Sequence, residues 1–330
     1  MEKEILSRTF LLDERGRLCA EGWAADDLVD YNKENIRTRR SLAEWEQYHV
    51  FNREFSLTIT YGHAGSRGMT TAVLTDLLTG EVTVFGRDVS CPGDRFDLDH
   101  NSGTPHNLKQ EEGSFFLSIG FDGELRSIQV RDEDLHAELY VHETGRPLVT
   151  VTPFVSRRNF SMSYRRTFTD LAGKITFRNR EYTLTGDTFL TLWSLRAVLP
   201  RRMEWISAVG TQEIDGSVYG LQLLQTDGEE DAPTDCALFE NGTIVKLGEL
   251  RCRMNDEKGL KTLYLSDSSG RVHLTFEPEY ENYVNHFHSL WGQKKRRLFG
   301  TVSGSVVNGA GRKIAVSDMP FYMEKAKHRW

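Results

Sequence analysis

From Arg53 onward the chain keeps one rhythm: short runs of alternating apolar and polar residues, each closed by glycine, proline, asparagine or aspartate. FSLTITY, TTAVLTDL and EVTVFG open the series, and SFFLSIG, ELRSIQV, LHAELYV, PLVTVTPF, FSMSYRR, GKITF and EYTLTG continue it. A period of two puts every second side chain on one face, the pattern of a half-buried strand. Runs recurring about every ten residues, with turn residues between, fit a sandwich or an antiparallel barrel. After Gly210 a second set follows, from SVYGLQLLQ through CALFENGTIVKL to RKIAVSD, and its Asn241-Gly242 pair is a strong type I′ hairpin signal.

At 330 residues the chain exceeds what one hydrophobic core usually serves. Two β-rich halves are therefore expected, residues 1–180 and 181–330, meeting near residues 170 to 190. Three stretches stand outside the rhythm. Residues 1–31 read as an extended lead-in, with a turn at Gly22 and an anchor at Trp23. Asn32 to Tyr48 is the best candidate for a short N-terminal helix, capped by Asn32 or Asn35 and presenting Ile36, Leu42 and Trp45 on one face. Asp88 to Glu112, rich in glycine, proline and histidine, reads as a long loop, and loops of that length are uncommon unless functional or disordered.

A net charge of −7 argues against a nucleic-acid surface, which needs a basic face to displace counterions. No apolar run approaches the roughly 18 residues that span a bilayer, and MEKEILSRTFLLDERGR lacks the apolar centre of a signal peptide. The expectation is a soluble cytoplasmic protein with no membrane partner, a monomer or weak homo-oligomer. Cys19, Cys91, Cys236 and Cys252 lie far apart with no CxxC pair, so free buried thiols are expected and no zinc knuckle.

The densest chemistry lies in Asp187 to Gly210, DTFLTLWSLRAVLPRRMEWISAVG. It gathers Trp193, Arg196, Arg201, Arg202, Glu204 and Trp205 into two strands broken at Pro200. Charges are costly in a strand interior unless they are paired or used. Trp193, Arg196, Glu204 and Trp205 could form one wall of a pocket, with Arg201 beside them; the plainer alternative is two core tryptophans and the charges of a hairpin. Asp235, at the entry to ALFE, could face Glu204 and form an acid-base pair, or could simply cap a turn. His286 and His288 share a strand face without a third ligand of definite spacing. His100 and His106 could act from the long loop as a mobile acid or base. Lys294 to Arg297, KKRR, reads as a solvated hairpin tip, and Trp330 as an anchor for the chain end. There is no GxGxxG, GxxxxGK[ST], HExxH or GxSxG, which argues against nucleotide, zinc-protease and α/β-hydrolase readings.

Several segments together resemble the bacterial domain of unknown function 2804 family: GRLCAEGWAADDLVDYN, AEWEQYHVFNREFSLTITYG, LWSLRAVLPRRMEWISAVG, TDCALFENGTIVKL and FGTVSGSVVNGAGRKIAVSDMPFYMEKAKHRW. The residues next to Trp193 and the Asp235-Cys236 pair depart from the family pattern, which implies a changed substrate or a diverged branch. More distantly the layout resembles the two-domain, lipocalin-like proteins that include carotenoid hydratases, tocopherol cyclase and decalin-forming cyclases. The resemblance implies an all-β chain of two lipocalin-like halves with a ligand cavity, and no established activity.

The function expected first is a cofactor-independent acid-base enzyme of the hydratase, lyase or isomerase type, acting on a small organic or sugar-derived molecule. Glu204 and Asp235 would move protons, and Trp193, Arg196, Trp205, Arg201, His100 and His288 would hold the substrate; no metal is called for. A glycoside hydrolase using the same two carboxylates and a carrier without chemistry remain as alternatives.

Overall fold

In a computed structural model of the chain, the described residues are all except 1, 38, 91–92, 99, 155–157, 169, 185, 227–231, 255–257, 288–291 and 330. Three antiparallel sheets of eight, six and nine strands carry the fold. The eight-stranded sheet runs in the order Gly22–Ala24, Leu148–Pro153, Phe160–Phe168, Phe189–Val198, Leu42–Phe51, Phe55–Ala64, Arg67–Asp76 and Val82–Ser90. The six-stranded sheet, from Arg180–Tyr182 to His106–Glu112, packs on its inner face, and Tyr48, Leu57, Ile59, Ile119, Val130 and Leu192 share the resulting core. The chain leaves the first sheet at Val198 and enters the nine-stranded sheet with Arg202–Ile214. That sheet curls until its last strand, Leu250–Arg251, meets Ser217–Thr226, and it encloses a second core around Leu221, Phe276, Val302 and Phe321. Among the described residues no helix is long and apolar enough to cross a membrane.

The alternating runs are strands, as their period requires. The Asn241-Gly242 turn links Ala237–Glu240 to Thr243–Lys246 with both residues at positive φ, 47° and 77°, which is the type I′ geometry. The helix expected over Asn32 to Tyr48 is absent. Two short 3-10 turns, Lys33–Asn35 and Arg39–Ser41, lead straight into the strand Leu42–Phe51. The Asn32 side chain does not cap the following turn but bonds the backbone of Leu12, donating from its amide nitrogen at 2.7 Å and accepting on its oxygen at 3.0 Å. Leu42 and Trp45, expected on one helical face, sit on opposite faces of the strand, in different clusters. The Asp88 to Glu112 loop is also shorter than expected. It contains a strand end, the turn Gly93–Phe96 and the strand His106–Glu112, and Phe96, Leu98 and Ser102 are buried against the first half. The segment therefore plugs the half instead of covering it loosely.

KKRR is no hairpin tip. It lies within the strand Gly292–Val307, where Arg296 Nε donates to Glu281 at 2.6 Å and Arg297 Nε to Glu324 at 2.8 Å. Cys236 is buried, but Cys19 is exposed and Cys252 half-buried, all three as free thiols; Cys91 and Trp330 lie outside the described residues.

One glycine fixes how closely the strands of the first sheet approach. Gly62 (φ 141°) faces Trp45, and a Cβ there would stand 2.1 Å from the Glu44 carbonyl oxygen and 2.5 Å from Trp45 Cα. Gly62→Ala is expected to cost about 2–4 kcal/mol through overpacking and backbone strain. Urea unfolding measures this, and a loss under about 1 kcal/mol would show that the two strands part without difficulty.

Candidate functional site

The outer face of the eight-stranded sheet lies against the outer face of the nine-stranded sheet. Phe51, Phe189, Val209 and Tyr322 fill one part of this seam, and Trp45, Trp193, Leu195, Leu199 and Met203 another. Phe189–Val198 is the strand that serves both sides. Leu190, Leu192 and Val198 enter the first core, while Trp193, Leu195 and Ala197 enter the seam. Residues three apart on a strand point to opposite faces, so Trp193 and Arg196 do not share a wall.

On the seam side, Trp193 forms edge-to-face pairs with Trp45 (5.7 Å) and Trp205 (6.0 Å), and Trp205 stacks on the His328 ring at 4.7 Å. Burial holds His328 neutral, its pKa lowered to about 3. These indoles, with Phe154, Leu199 and Asp235, border a cavity of about 40 Å³. Asp235 is buried and accepts from Ser163 Oγ at 2.6 Å and Arg165 Nε at 2.9 Å, both on Oδ2. The Arg165 guanidinium also lies 4.0 Å from the Trp193 ring centre, a cation–π contact in a desolvated setting. Burial pulls the pKa of Arg165 below its usual value against the opposing charge of Asp235.

Trp193, Trp205 and Asp235 thus meet at one cavity, and Glu204 is not with them. It lines an outer pocket of about 340 Å³ with Ile206, Cys252, Arg253 and Lys325. There its carboxylate pairs with Lys325 at 3.1 Å and Lys327 at 3.0 Å. Trp205 and Thr226 border both spaces. Arg201 is exposed in the turn before Arg202. His288 lies outside the described residues, as does the side chain of His286.

Arg196 belongs to a polar network inside the first half. Its guanidinium donates to Ser194 Oγ at 2.8 Å and to the His100 carbonyl at 3.0 Å, and lies 3.4 Å from Glu46. Glu46 is fully buried and also accepts from Tyr48 at 2.6 Å and Ser102 at 2.7 Å. Burial alone would raise its pKa, but the guanidinium charges of Arg196 and Arg126, with the His106 ring beside them, outweigh it and hold the group at about 2. His100 and His106 stack at 4.2 Å; His106 Nε2 accepts from Arg126 at 3.3 Å, and burial lowers its pKa. Two clusters here carry metal-ligand atoms, Glu46-His100-His106 and Glu44-His63-Asp97. In both, cations of the chain already compensate the carboxylates: Arg196 at Glu46, and Lys33 Nζ at 2.8 Å from Glu44 and 2.7 Å from Asp97.

Arg165, Ser163 and Trp45 were not among the candidates in the sequence. FSMSYRR carried a usable signal, since Ser161, Ser163 and Arg165 alternate onto one face, and an arginine inside a buried strand needs a partner. Trp45 was hidden by the helix reading.

Two curved antiparallel sheets packed back to back, with a small cavity in the seam, define a lipocalin-like all-β protein. The chain belongs to the domain of unknown function family DUF2804, which matches residues 2–330. Its fold is similar to that of CghA in a crystal structure with Sch210972, at a TM-score of 0.52 and 10% identity, covering 88% of this chain and 89% of that one. Kievitone hydratase from Nectria haematococca is similar at a TM-score of 0.49 and 11% identity, covering 87% of this chain and 88% of that one. At these identities the likeness is one of fold. No curated protein sequence matches the chain significantly.

Proposed function

We propose that the seam cavity is a small-molecule site and that Asp235 moves a proton there, in a hydration, dehydration or isomerisation that uses no cofactor. One observation carries this reading: a buried carboxylate, oriented by Arg165 and Ser163, stands on the wall of a cavity whose other lining is indoles, Phe154 and aliphatic side chains with a few threonine and serine hydroxyls. Binding sites have that composition, apolar with a few converging polar groups. A carboxylate held through one oxygen keeps a fixed direction for the other, which is what proton transfer to a bound molecule requires. Glu204 lines the outer pocket, so a two-carboxylate glycosidase mechanism gains no support from the geometry, and the proposal rests on Asp235 alone.

The test is incubation with a metabolite mixture followed by mass spectrometry and chromatography. A hydratase shifts a compound by one water, and an isomerase changes retention at constant mass. Asp235→Asn is expected to lower the rate by about 10²–10⁴-fold, with the near-ultraviolet circular dichroism of the folded protein retained. Turnover preserved in folded Asp235→Asn would end the assignment.

A further inference from the structure

The seam cavity, at about 40 Å³, has room for a few water molecules, whereas small-molecule sites run from about 300 Å³ upward. A ligand enters only if a wall moves. Most of the lining is locked into ladders: Trp45, Ser163 and Trp193 belong to the eight-stranded sheet, and Met203, Trp205 and Leu224 to the nine-stranded one. Residues 233–235 border the cavity and belong to no strand. Side chains hold them instead. Thr152 donates to the Pro233 carbonyl at 2.7 Å, Ser163 and Arg165 hold Asp235, and Thr234 between them is held by Glu2. The Glu2 carboxylate accepts from the Thr234 backbone N–H at 3.2 Å and from its hydroxyl at 3.0 Å, and Lys246 Nζ lies 2.8 Å from it. Glu2 reaches this wall from a thin segment. Residues 2–6 run beside Gly22–Ala24, an edge strand, where Ile5 N donates to the Trp23 carbonyl at 2.7 Å and Trp23 N to that of Lys3 at 2.9 Å. Ile5 is buried, but Lys3, Glu4 and Leu6 are exposed. Segments with so few buried apolar side chains open at low cost.

We propose that residues 2–6 are a strap that keeps the seam cavity closed, with Glu2 as its latch on Thr234, and that release of Glu2 lets the wall swing away and admits the ligand. The inference rests on the cavity being the ligand site, and it names how that site is opened. One carboxylate serving three donors, two on the wall and one a lysine ammonium, makes the closed form the stable one. Freed of Glu2, the Thr234 hydroxyl keeps Lys246 as a donor at 3.1 Å, and its backbone N–H turns to water. Asp235 stays tied to Ser163 and Arg165, so Pro233 and Thr234 move about it while its carboxylate keeps its direction. Opening of this kind is how lids admit a molecule and then shut water out.

The chain carries its own reporter of that movement. Cys236 follows the wall directly and is buried, its thiol donating to the Leu224 carbonyl at 3.1 Å, whereas Cys19 is exposed. Labelling with methyl methanethiosulfonate, located by peptide mass spectrometry, compares the unaltered protein with Glu2→Ala and Glu2→Gln and needs no ligand. Cys236 is expected to react about tenfold faster or more in Glu2→Ala, the worth of the lost bonds to a charged group, with Glu2→Gln in between. Labelling of Cys19 and amide exchange at Phe276 and Val302, in the second core, are expected to stay unchanged. An unchanged Cys236 rate in Glu2→Ala would overturn the strap, and so would a rise matched at the Phe276 amide, which would report general unfolding. Either result leaves the cavity a ligand site, a reading that turnover by Asp235→Asn decides separately.

Discussion

Glu46→Gln is expected to lower the unfolding free energy by about 3–5 kcal/mol, the usual cost of breaking a buried ion pair from one side. Glu46 is fully buried, and it is the carboxylate beside Arg196 and near Arg126 in the interior of the first half. Neutralising it leaves guanidinium charge in a space from which water is excluded. Arg196→Met alone is expected to be costly for the mirror-image reason. The Glu46→Gln, Arg196→Met double variant is then expected to be less destabilised than the sum of the two, because removing both partners leaves less uncompensated charge. Urea midpoints of the four proteins give the coupling. Strict additivity would show that the two groups do not depend on each other.

Acidification is expected to weaken the protein well before its depressed carboxylates titrate. His49 and His328 lie in the seam, His49 between Phe51 and Tyr322 with Ser56 at 2.7 Å, and His328 under Trp205. Burial lowers both pKa values from 6.5 to about 3. A histidine depressed in the folded state favours folding fully above its unfolded value, and that contribution is lost as the pH falls from about 6.5 toward 3. At about 1.4 kcal/mol per pKa unit, each accounts for roughly 3–5 kcal/mol across that window. Glu44, Glu46 and Glu324, depressed from 4.5 to about 2, add a second loss of the same sign between those values. Stability measured at pH 7, 5.5 and 4.5 is thus expected to fall steadily from the first step, and the fall between pH 6.5 and 5 is expected to shrink in the His49→Gln, His328→Gln double variant. A flat profile down to pH 4.5 would contradict the buried, neutral state of both rings.

The strand architecture was legible because half-buried strands write their period into the chain, and Asn241-Gly242 because a type I′ turn admits few residues. Leu42–Phe51 was not, for a physical reason. It is buried on both faces, so the contrast between faces disappears, and Glu44 and Glu46, good helix formers on a surface, are here interior groups held by Lys33, Arg196 and Tyr48. Trp193 and Trp205 stood out within a stretch carrying more chemistry than a strand interior needs, and Asp235 as a carboxylate at a strand entry. Their company could not be read, since Arg165 reaches Asp235 across 70 residues of chain. The separation of Trp193 from Arg196, by contrast, was open to inspection: an odd spacing on a strand puts two residues back to back.

The run of indoles at the seam has an optical consequence. Trp45, Trp193 and Trp205 stand edge to face within 6.0 Å, one half contributing two of the rings and the other the third. Aromatic circular dichroism in the near ultraviolet depends on such fixed asymmetric packing and vanishes when packing loosens while strands persist. The molecule therefore carries a built-in gauge of whether its two sheets are seated against each other, readable without any attached dye.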